Sequence, residues 1–266
     1  MLASPRVAKT LVCYNRNNFG DQLSEVVVKA ILGSDIKICN VADKNVERST
    51  GSLVGLGSVL HFANYGDTIW GTGAIPERFR KRDLFFLSQY RRRVAPSWNV
   101  RAVRGPLTRD FMLKSLDIDC PEVYGDPAIL LPDILVDKKR NPKRHYGVIP
   151  HYRDLPVIQD DNVMSPLGDW EQVLDFILEC ELVVSSSLHG IIVAEAFGVP
   201  AQWLYNESLP SAKSEGTFKY RDYYLSTMRD RPTFASSVES AVSLGKPEVP
   251  QFQAKLALKQ SLMAAF

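Results

Sequence analysis

An α/β protein built on parallel sheets is what this sequence predicts, and three observations predict it. Short apolar runs rich in β-branched residues alternate with helix-period segments of ten or so residues, the pattern of βαβ units. The stretch Glu181 to Tyr205 spells out one such unit. Leu182-Val183-Val184 stops at three serines, His189-Gly190 opens an amphipathic helix that ends at Gly198, and a second apolar run follows Pro200. A polar, charged segment bounded by prolines, Pro132 to Lys143, separates two series of these units. The expectation is two Rossmann-like lobes, residues 1–135 and 144–266, facing a central cleft, which a 266-residue chain that is 45% hydrophobic is long enough to build.

Taken in order, VAKTLVCYN reads as a first strand, Asn18-Phe19-Gly20-Asp21 as a turn, and QLSEVVVKAILG as a helix that Asp21 would cap. Short strands are expected near Ile36 to Val41, Leu53 to Val59 and Thr68 to Trp70, the last running into Gly71-Thr72-Gly73. VRAVRGPLTRDFMLKSL reads as strand, turn and helix, with Pro106 in the first helical turn, where its missing N–H leaves no bond unmade. A further strand ends at Tyr124-Gly125-Asp126-Pro127. Beyond the boundary, HYGVIPHYRD opens the second series, DWEQVLDFILEC supplies a helix, and the unit at 181–205 follows. The C-terminal QFQAKLALKQSLMAAF has helical spacing and is expected to pack back across the lobes.

Composition narrows the class. A net charge of +2 does not by itself imply nucleic acid, and no RNA- or DNA-binding motif accompanies it. Cys13, Cys39, Cys120 and Cys180 lack CxxC spacing, so buried free thiols are expected rather than a disulfide or a zinc site. MLASPRVAKTLVCYN has no basic region followed by a clean apolar core, so it does not read as a signal peptide. No stretch approaches the roughly 18 apolar residues that span a bilayer. A cytoplasmic enzyme with at most peripheral membrane contact is the expectation.

The residues that carry chemistry fall at predicted strand ends. Ligands of open α/β sheets bind beyond the carboxyl ends of the strands, and the loop 185–190 lies there with hydroxyls, helix N–H groups and one imidazole. That combination reads as an anion site with a proton donor. A bound dianion favours the imidazolium of His189, which suits a general acid. Arg104, where a strand meets a helix, is the candidate fork for a carboxylate or phosphate on the other side of the cleft, whereas Arg101 and Arg109 read as ordinary surface ion pairs. Asp21, Asp126 and Glu195 are candidate bases, each with a structural alternative: a helix cap, a turn, and a solvent-facing helix position. His151 is a candidate for the acceptor side, His61 is expected to pack between the lobes, and His145 is assigned no role.

Five motifs then carry a resemblance. Asn18-Phe19-Gly20-Asp21, Gly71-Thr72-Gly73, Val103-Arg104-Gly105-Pro106, Gly125-Asp126-Pro127 and Ser185-Ser186-Ser187-Leu188-His189-Gly190, in this order and at these intervals, resemble the polysaccharide pyruvyltransferase family. GSVLHFANYGDTIWGTG, VRAVRGPLTRDFML and PEVYGDPAILLP are most similar to the bacterial exopolysaccharide ketal-pyruvate transferases of the xanthan and succinoglycan type. The resemblance implies transfer of pyruvate from phosphoenolpyruvate to two hydroxyls of a sugar, giving a cyclic ketal and inorganic phosphate without metal or redox cofactor. It implies His189 as proton donor to the methylene carbon and Arg104 as a clamp on the donor. Asn18, Gly20, Gly71, Gly73, Asp126, His151, Ser185, Ser186, Ser187, Leu188 and Gly190 are the candidate substrate-binding positions. Where family members often carry Arg before Leu-His-Gly this chain has Ser187, so the phosphate falls to another basic residue or to serines and helix N–H groups.

Between Glu77 and Arg104, nine Lys or Arg stand against two acids, with Phe79, Phe85, Phe86, Tyr90 and Trp98 interleaved. A solvated basic loop is the plain alternative. Docking on anionic lipid through Arg78, Arg80, Lys81, Arg82, Arg91, Arg92 and Arg93, at about 1 kcal/mol per nearby cation, explains the aromatics as well. The resemblance implies a polyprenyl-diphosphate-linked oligosaccharide acceptor, hence a place at the inner face of the bacterial inner membrane. Two rivals stand beside it. One is a glycosyltransferase-B-like enzyme with a nucleotide-sugar donor, in which Glu195 meets the ribose; the other is a non-catalytic membrane-surface glycan-binding protein, which Ser187 favours.

Overall fold

The computed structural model describes residues 10–14, 17–43, 50–80, 97–230 and 232–265. Lys81, Arg82, Arg91, Arg92 and Arg93 of the expected lipid-facing patch lie outside the described residues. Five strands, β1 (Thr10–Cys13), β2 (Lys37–Asn40), β3 (Leu53–Val54), β4 (Thr68–Trp70) and β5 (Asn99–Ala102), form a parallel sheet in the order β2-β1-β3-β4-β5. Four more, β6 (Gly147–Ile149), β7 (Val183–Ser185), β8 (Ala201–Leu204) and β9 (Phe234–Ala235), form a second parallel sheet in sequence order. A parallel strand covered on both faces must be apolar on both, and β1 and β8 are buried at every position.

The described helices are α1 (Phe19–Leu32), α2 (Glu77–Arg80), α3 (Pro106–Phe111), α4 (Leu131–Ile134), α5 (Trp170–Leu178), α6 (Leu188–Ala196), α7 (Pro210–Glu215), α8 (Phe218–Ser226), α9 (Val238–Leu244) and α10 (Lys255–Met263). Their alternation with parallel strands is Rossmann-like. No helix among the described residues is long and apolar enough to cross a membrane.

Local chemistry shifts three elements from their expected places. Asn18, not Asp21, caps α1: its Oδ1 accepts from Gly20 N at 3.0 Å, and the helix starts at Phe19, which leaves Asp21 in the first turn. The apolar run after Leu53 is strand only to Val54, because Gly57 takes φ +96° and the chain enters a 3₁₀ turn at Leu60–Phe62. The helix expected to be amphipathic, α6, is buried almost all round, packed against β7, β8 and the turn Pro127–Leu130.

A single apolar cluster joins Leu11, Phe19 and Trp70 to Val183, Ile191 and Trp203, so the core is continuous between the sheets. Val12, Val54 and Ile69 pack on the opposite face of the first sheet, and Val148, Val184 and Leu204 on that of the second. Two C-terminal elements reach the first sheet. In α10, Leu258 O accepts from Trp70 Nε1 at 2.9 Å. From α8, the buried Asp222 accepts from Thr108 N at 3.0 Å, Thr108 Oγ1 at 2.6 Å and Arg104 Nε at 3.2 Å, placing a carboxylate at the N-terminus of α3.

Candidate active site

In the first sheet the strand order reverses between β1 and β3, and a crevice opens beyond their carboxyl ends. The segments that follow these strands carry Tyr14, Asn18 and Asp21, and Gly57, Ser58 and His61. With His151 to Arg153 after β6, Ser187 to His189 after β7, and Glu215 and Lys219 after β8, they line a pocket open to solvent.

His189 lies in the first turn of α6, with Nε2 3.7 Å from Asp126 Oδ2. Both atoms are buried and neither has a hydrogen-bond partner. The other Asp126 oxygen accepts from Ala128 N at 3.1 Å, so this residue sets the turn at Pro127 and also faces the imidazole. On its other side the ring packs over Gly20, where a Cβ would lie 2.2 Å from His189 Nδ1. The glycine of the first motif is therefore the space that the histidine of the last motif occupies. Asp21 lines the same pocket; burial pushes its carboxyl up to about 7, against the lowering pull of His189 and Lys219.

Of the three serines, only Ser187 lines the pocket, as an N-cap whose side chain makes no capping bond. Ser185 Oγ lies 2.6 Å from Ile149 O and accepts from Ser187 N at 3.0 Å. Ser186 Oγ donates to Asp154 Oδ2 at 2.7 Å and accepts from His151 N at 2.9 Å. Gly190 is needed because a Cβ there would lie 2.2 Å from Ser185 Oγ. Ser185, Ser186 and Gly190 thus build the loop rather than face a ligand, while Leu188 does line the pocket.

Arg104 stands behind the pocket rather than in its open lining. Its side chain is 0% exposed, Nε pairs with Asp222, and Nη1 donates to Ser58 Oγ at 2.6 Å. The guanidinium thereby positions the pocket residue Ser58, while Nη2 is buried without a protein partner. Gly71 and Gly73 also stand behind the pocket: Cβ atoms there would lie 2.6 Å from the Pro127 ring and 2.1 Å from Arg104 Cζ, so both glycines permit close packing.

The expectation for Glu195 is corrected. It is 1% exposed and neither solvent-facing nor in the pocket, because Arg229 binds both its oxygens at 2.7 Å and Tyr223 OH donates at 2.6 Å. His151 does line the pocket; its Nδ1 accepts from Arg153 N at 3.3 Å, and Nε2 lies 3.3 Å from Glu215 Oε1. Burial lowers its pKa, with the Glu215 hydrogen bond opposing. His61 lines the pocket as well, its ring 4.1 Å from that of Phe62. Arg109 makes the expected surface pair, with Glu122 at 3.4 Å. All four cysteines are buried free thiols, and burial pushes Cys13, Cys120 and Cys180 up to about 12.

Sequence reasoning missed Lys219, Glu215 and Asp154. Lys219 is ion-paired with Glu215; burial pulls its ammonium down, but Tyr220 and Glu215 outweigh it and the pKa ends above the usual value. Asp154 accepts from Ser186 Oγ, from Ser211 N at 2.7 Å and from Ser211 Oγ at 2.5 Å, which fixes the serine loop against α7. The one signal in the sequence was the four-residue spacing of Glu215 and Lys219. Gly216, at φ +60°, ends α7 between them, so a one-helix pairing rule does not apply.

Comparison with known proteins agrees with the motif order. The chain is 29% identical over 200 residues to uncharacterized protein L143 of Acanthamoeba polyphaga mimivirus, covering 70% of this chain and 63% of that protein. It is 30% identical over 136 residues to succinoglycan biosynthesis protein ExoV of Rhizobium meliloti (strain 1021), covering 47% and 40% respectively. The chain thus spans less than two thirds of the length of these curated relatives. A solved structure of a functionally uncharacterized protein from Klebsiella pneumoniae subsp. pneumoniae NTUH-K2044 superposes with a TM-score of 0.48 at 15% identity, over 86% of this chain and 93% of that one. Residues 18–208, well over half of the 266, match the polysaccharide pyruvyl transferase family, and the chain belongs to that family.

Proposed function

We propose that the protein is a polysaccharide pyruvyltransferase that moves pyruvate from phosphoenolpyruvate onto two hydroxyls of a sugar, forming a cyclic ketal and releasing phosphate. The observation that carries this is His189, set between Asp126 and Gly20 in a pocket that also holds Asp21, Lys219, Arg153 and Arg78. Nε2 is turned to Asp126, so Nδ1 is the nitrogen left to deliver a proton to the methylene carbon. Protonation gives the carbon bearing phosphate positive character, one sugar hydroxyl adds there, phosphate departs, and the second hydroxyl closes the ring. The two hydroxyl protons account for the third hydrogen of the new methyl group and the proton on the released phosphate, so the chemistry balances without metal or redox cofactor.

Asp126 faces Nε2 and orients the imidazole, as a buried carboxylate does behind a catalytic histidine. Of the three candidate bases, Asp21 fits best: it lines the pocket, and a carboxyl near 7 is matched to taking a hydroxyl proton at neutral pH. The cation missing at Ser187 is made good by Lys219, Arg153 and Arg78. A pocket lined from both sheets supports two lobes, 1–135 and 144–266, facing a cleft in a glycosyltransferase-B-like plan. The acceptor in this proposal is a lipid-linked exopolysaccharide repeat unit, met at the inner face of the membrane with the cations Arg80, Lys81, Arg82, Arg91, Arg92 and Arg93 against anionic lipid. The nucleotide-sugar alternative loses its ribose ligand, since Glu195 is enclosed by Arg229 and Tyr223.

Incubation with phosphoenolpyruvate and a polyprenyl-diphosphate-linked oligosaccharide should release free phosphate and raise the acceptor's mass by one pyruvate ketal. Turnover of a nucleotide sugar instead, with no phosphate from phosphoenolpyruvate, would overturn the proposal.

A further inference from the structure

A carboxylate sits among the cations of the pocket. Glu215, the last residue of α7, places Oε1 3.3 Å from His151 Nε2 and 4.0 Å from Arg153 Nε, while Oε2 is ion-paired with Lys219. All four side chains line the pocket, with Lys219 11% exposed and Glu215 23%. Burial pushes the Glu215 carboxyl up, but Lys219 and His151 outweigh it and hold it below the usual carboxylate range. The other buried pairs, Arg104 with Asp222 and Glu195 with Arg229, lie outside the pocket. Among the described residues, this carboxylate faces cations and a histidine from several directions at the edge of the pocket.

We infer that Glu215 is a resident stand-in for the anionic group of the ligand, and that a phosphate or carboxylate entering the pocket displaces it from Lys219. The anion's identity as phosphoenolpyruvate rests on the proposed pyruvyl transfer; the exchange itself does not. Lysine suits the exchange, because its ammonium is a point charge on a four-carbon stem whose three donors can be re-aimed. Glu215 is not stranded when Lys219 leaves it, since His151 Nε2 and Arg153 remain within reach. His151 is already held at Nδ1 by the Arg153 N–H, so its role in the pocket is to keep Glu215, not to move a proton. A resident carboxylate lowers affinity for every anion but penalises monoanions most, because only a multiply charged group gains enough from Lys219, Arg153 and the α6 N-terminus to displace it.

Calorimetric titration of the full chain with phosphoenolpyruvate, and separately with inorganic phosphate, tests the exchange by the signs of two substitutions. Lys219→Met should weaken binding of both anions by about tenfold or more, the loss of one charge-assisted contact. Glu215→Gln, which removes the competitor and leaves the cation, should tighten both several-fold. Glu215→Gln binding no more tightly than the parent, or Lys219→Met binding equally well, overturns the inference. Should Lys219→Met lose its cooperative melt, the sign of the Glu215→Gln effect decides alone. A parent protein that binds inorganic phosphate but not phosphoenolpyruvate defeats the donor assignment, and the two signs measured with phosphate still decide the exchange.

Discussion

Gly20→Ala should disable the protein while leaving it folded. The added Cβ would lie 2.2 Å from His189 Nδ1, 2.6 Å from Cγ and 2.8 Å from Cβ. Ordinary carbon contacts begin near ~3.5 Å, so the imidazole must retreat by roughly 1 Å or more. Little else gives way. α1 is held at its start by the Asn18 cap and by Phe19 N donating to Pro166 O at 2.9 Å, and α6 is anchored by the fully buried Ile191 and Ile192. The ring therefore swings away from Asp126 and, because His189 Cβ is itself only 2.8 Å away, the first turn of α6 shifts with it; a displacement of that size at a reacting group costs on the order of 10²-fold in rate. Alanine's better helix propensity offsets only part of the clash, so the melting temperature should fall while the transition stays cooperative. Phosphate release from phosphoenolpyruvate in the presence of acceptor, measured beside thermal melting of the same preparation, reads both quantities. Full kcat in a normally folded variant would show that His189 need not sit over Gly20, and the proton-donor geometry would fall with it.

His189→Ala should abolish turnover with a normal melt, and retained turnover would remove it as the acid. Asp21 makes stability depend on pH: its folded carboxyl titrates at about 7 and its unfolded one at about 4. Between these values the unfolded chain binds fewer protons, so stability falls as pH rises from about 4 to about 7. Asp21→Asn should flatten that fall, and superimposable stability curves for the two proteins would contradict the raised value. Asp222→Ala strands the Arg104 guanidinium and leaves Thr108 N without its acceptor, so urea unfolding should show a loss of about 3–5 kcal/mol. A loss below ~1 kcal/mol would mean that Arg104 finds water.

The parts of the fold written in local pattern were legible: β4 falls on Thr68–Trp70 as expected, and the order of strands and helices follows the apolar runs. The motif glycines were legible as places of close approach, but not what approaches them. Gly20 admits His189, Gly71 admits the Pro127 ring, Gly73 admits Arg104 and Gly190 admits Ser185. For the first three the neighbour comes from another motif, so no single window of sequence contains both partners; Gly190 and Ser185 share one motif, yet the strand-to-helix turn that brings them together is not visible in their spacing. Arg104 and Glu195 were misplaced for the same reason, since each looks free until its counter-ion, Asp222 or Arg229, arrives from beyond residue 208.

The helix that brings most of these partners is α8, and its sequence conceals the fact. FKYRDYYLS is polar enough to read as a solvated segment, yet Lys219, Tyr220, Asp222, Tyr223 and Tyr224 are all buried. Burying such groups is tolerable only where each finds a partner, and four of them do: Lys219 meets Glu215, Tyr220 OH donates to Ser186 O, Asp222 holds Arg104 and Thr108, and Tyr223 OH donates to Glu195. Hydropathy scores polarity against solvent and cannot see a partner supplied by a different element. In consequence one nine-residue helix, outside every recognisable motif, touches the pocket cation, the serine loop, the Arg104–Ser58 contact and the α6 carboxylate at once. A substitution that displaces α8 therefore disturbs the anion contacts and the support of the first sheet together.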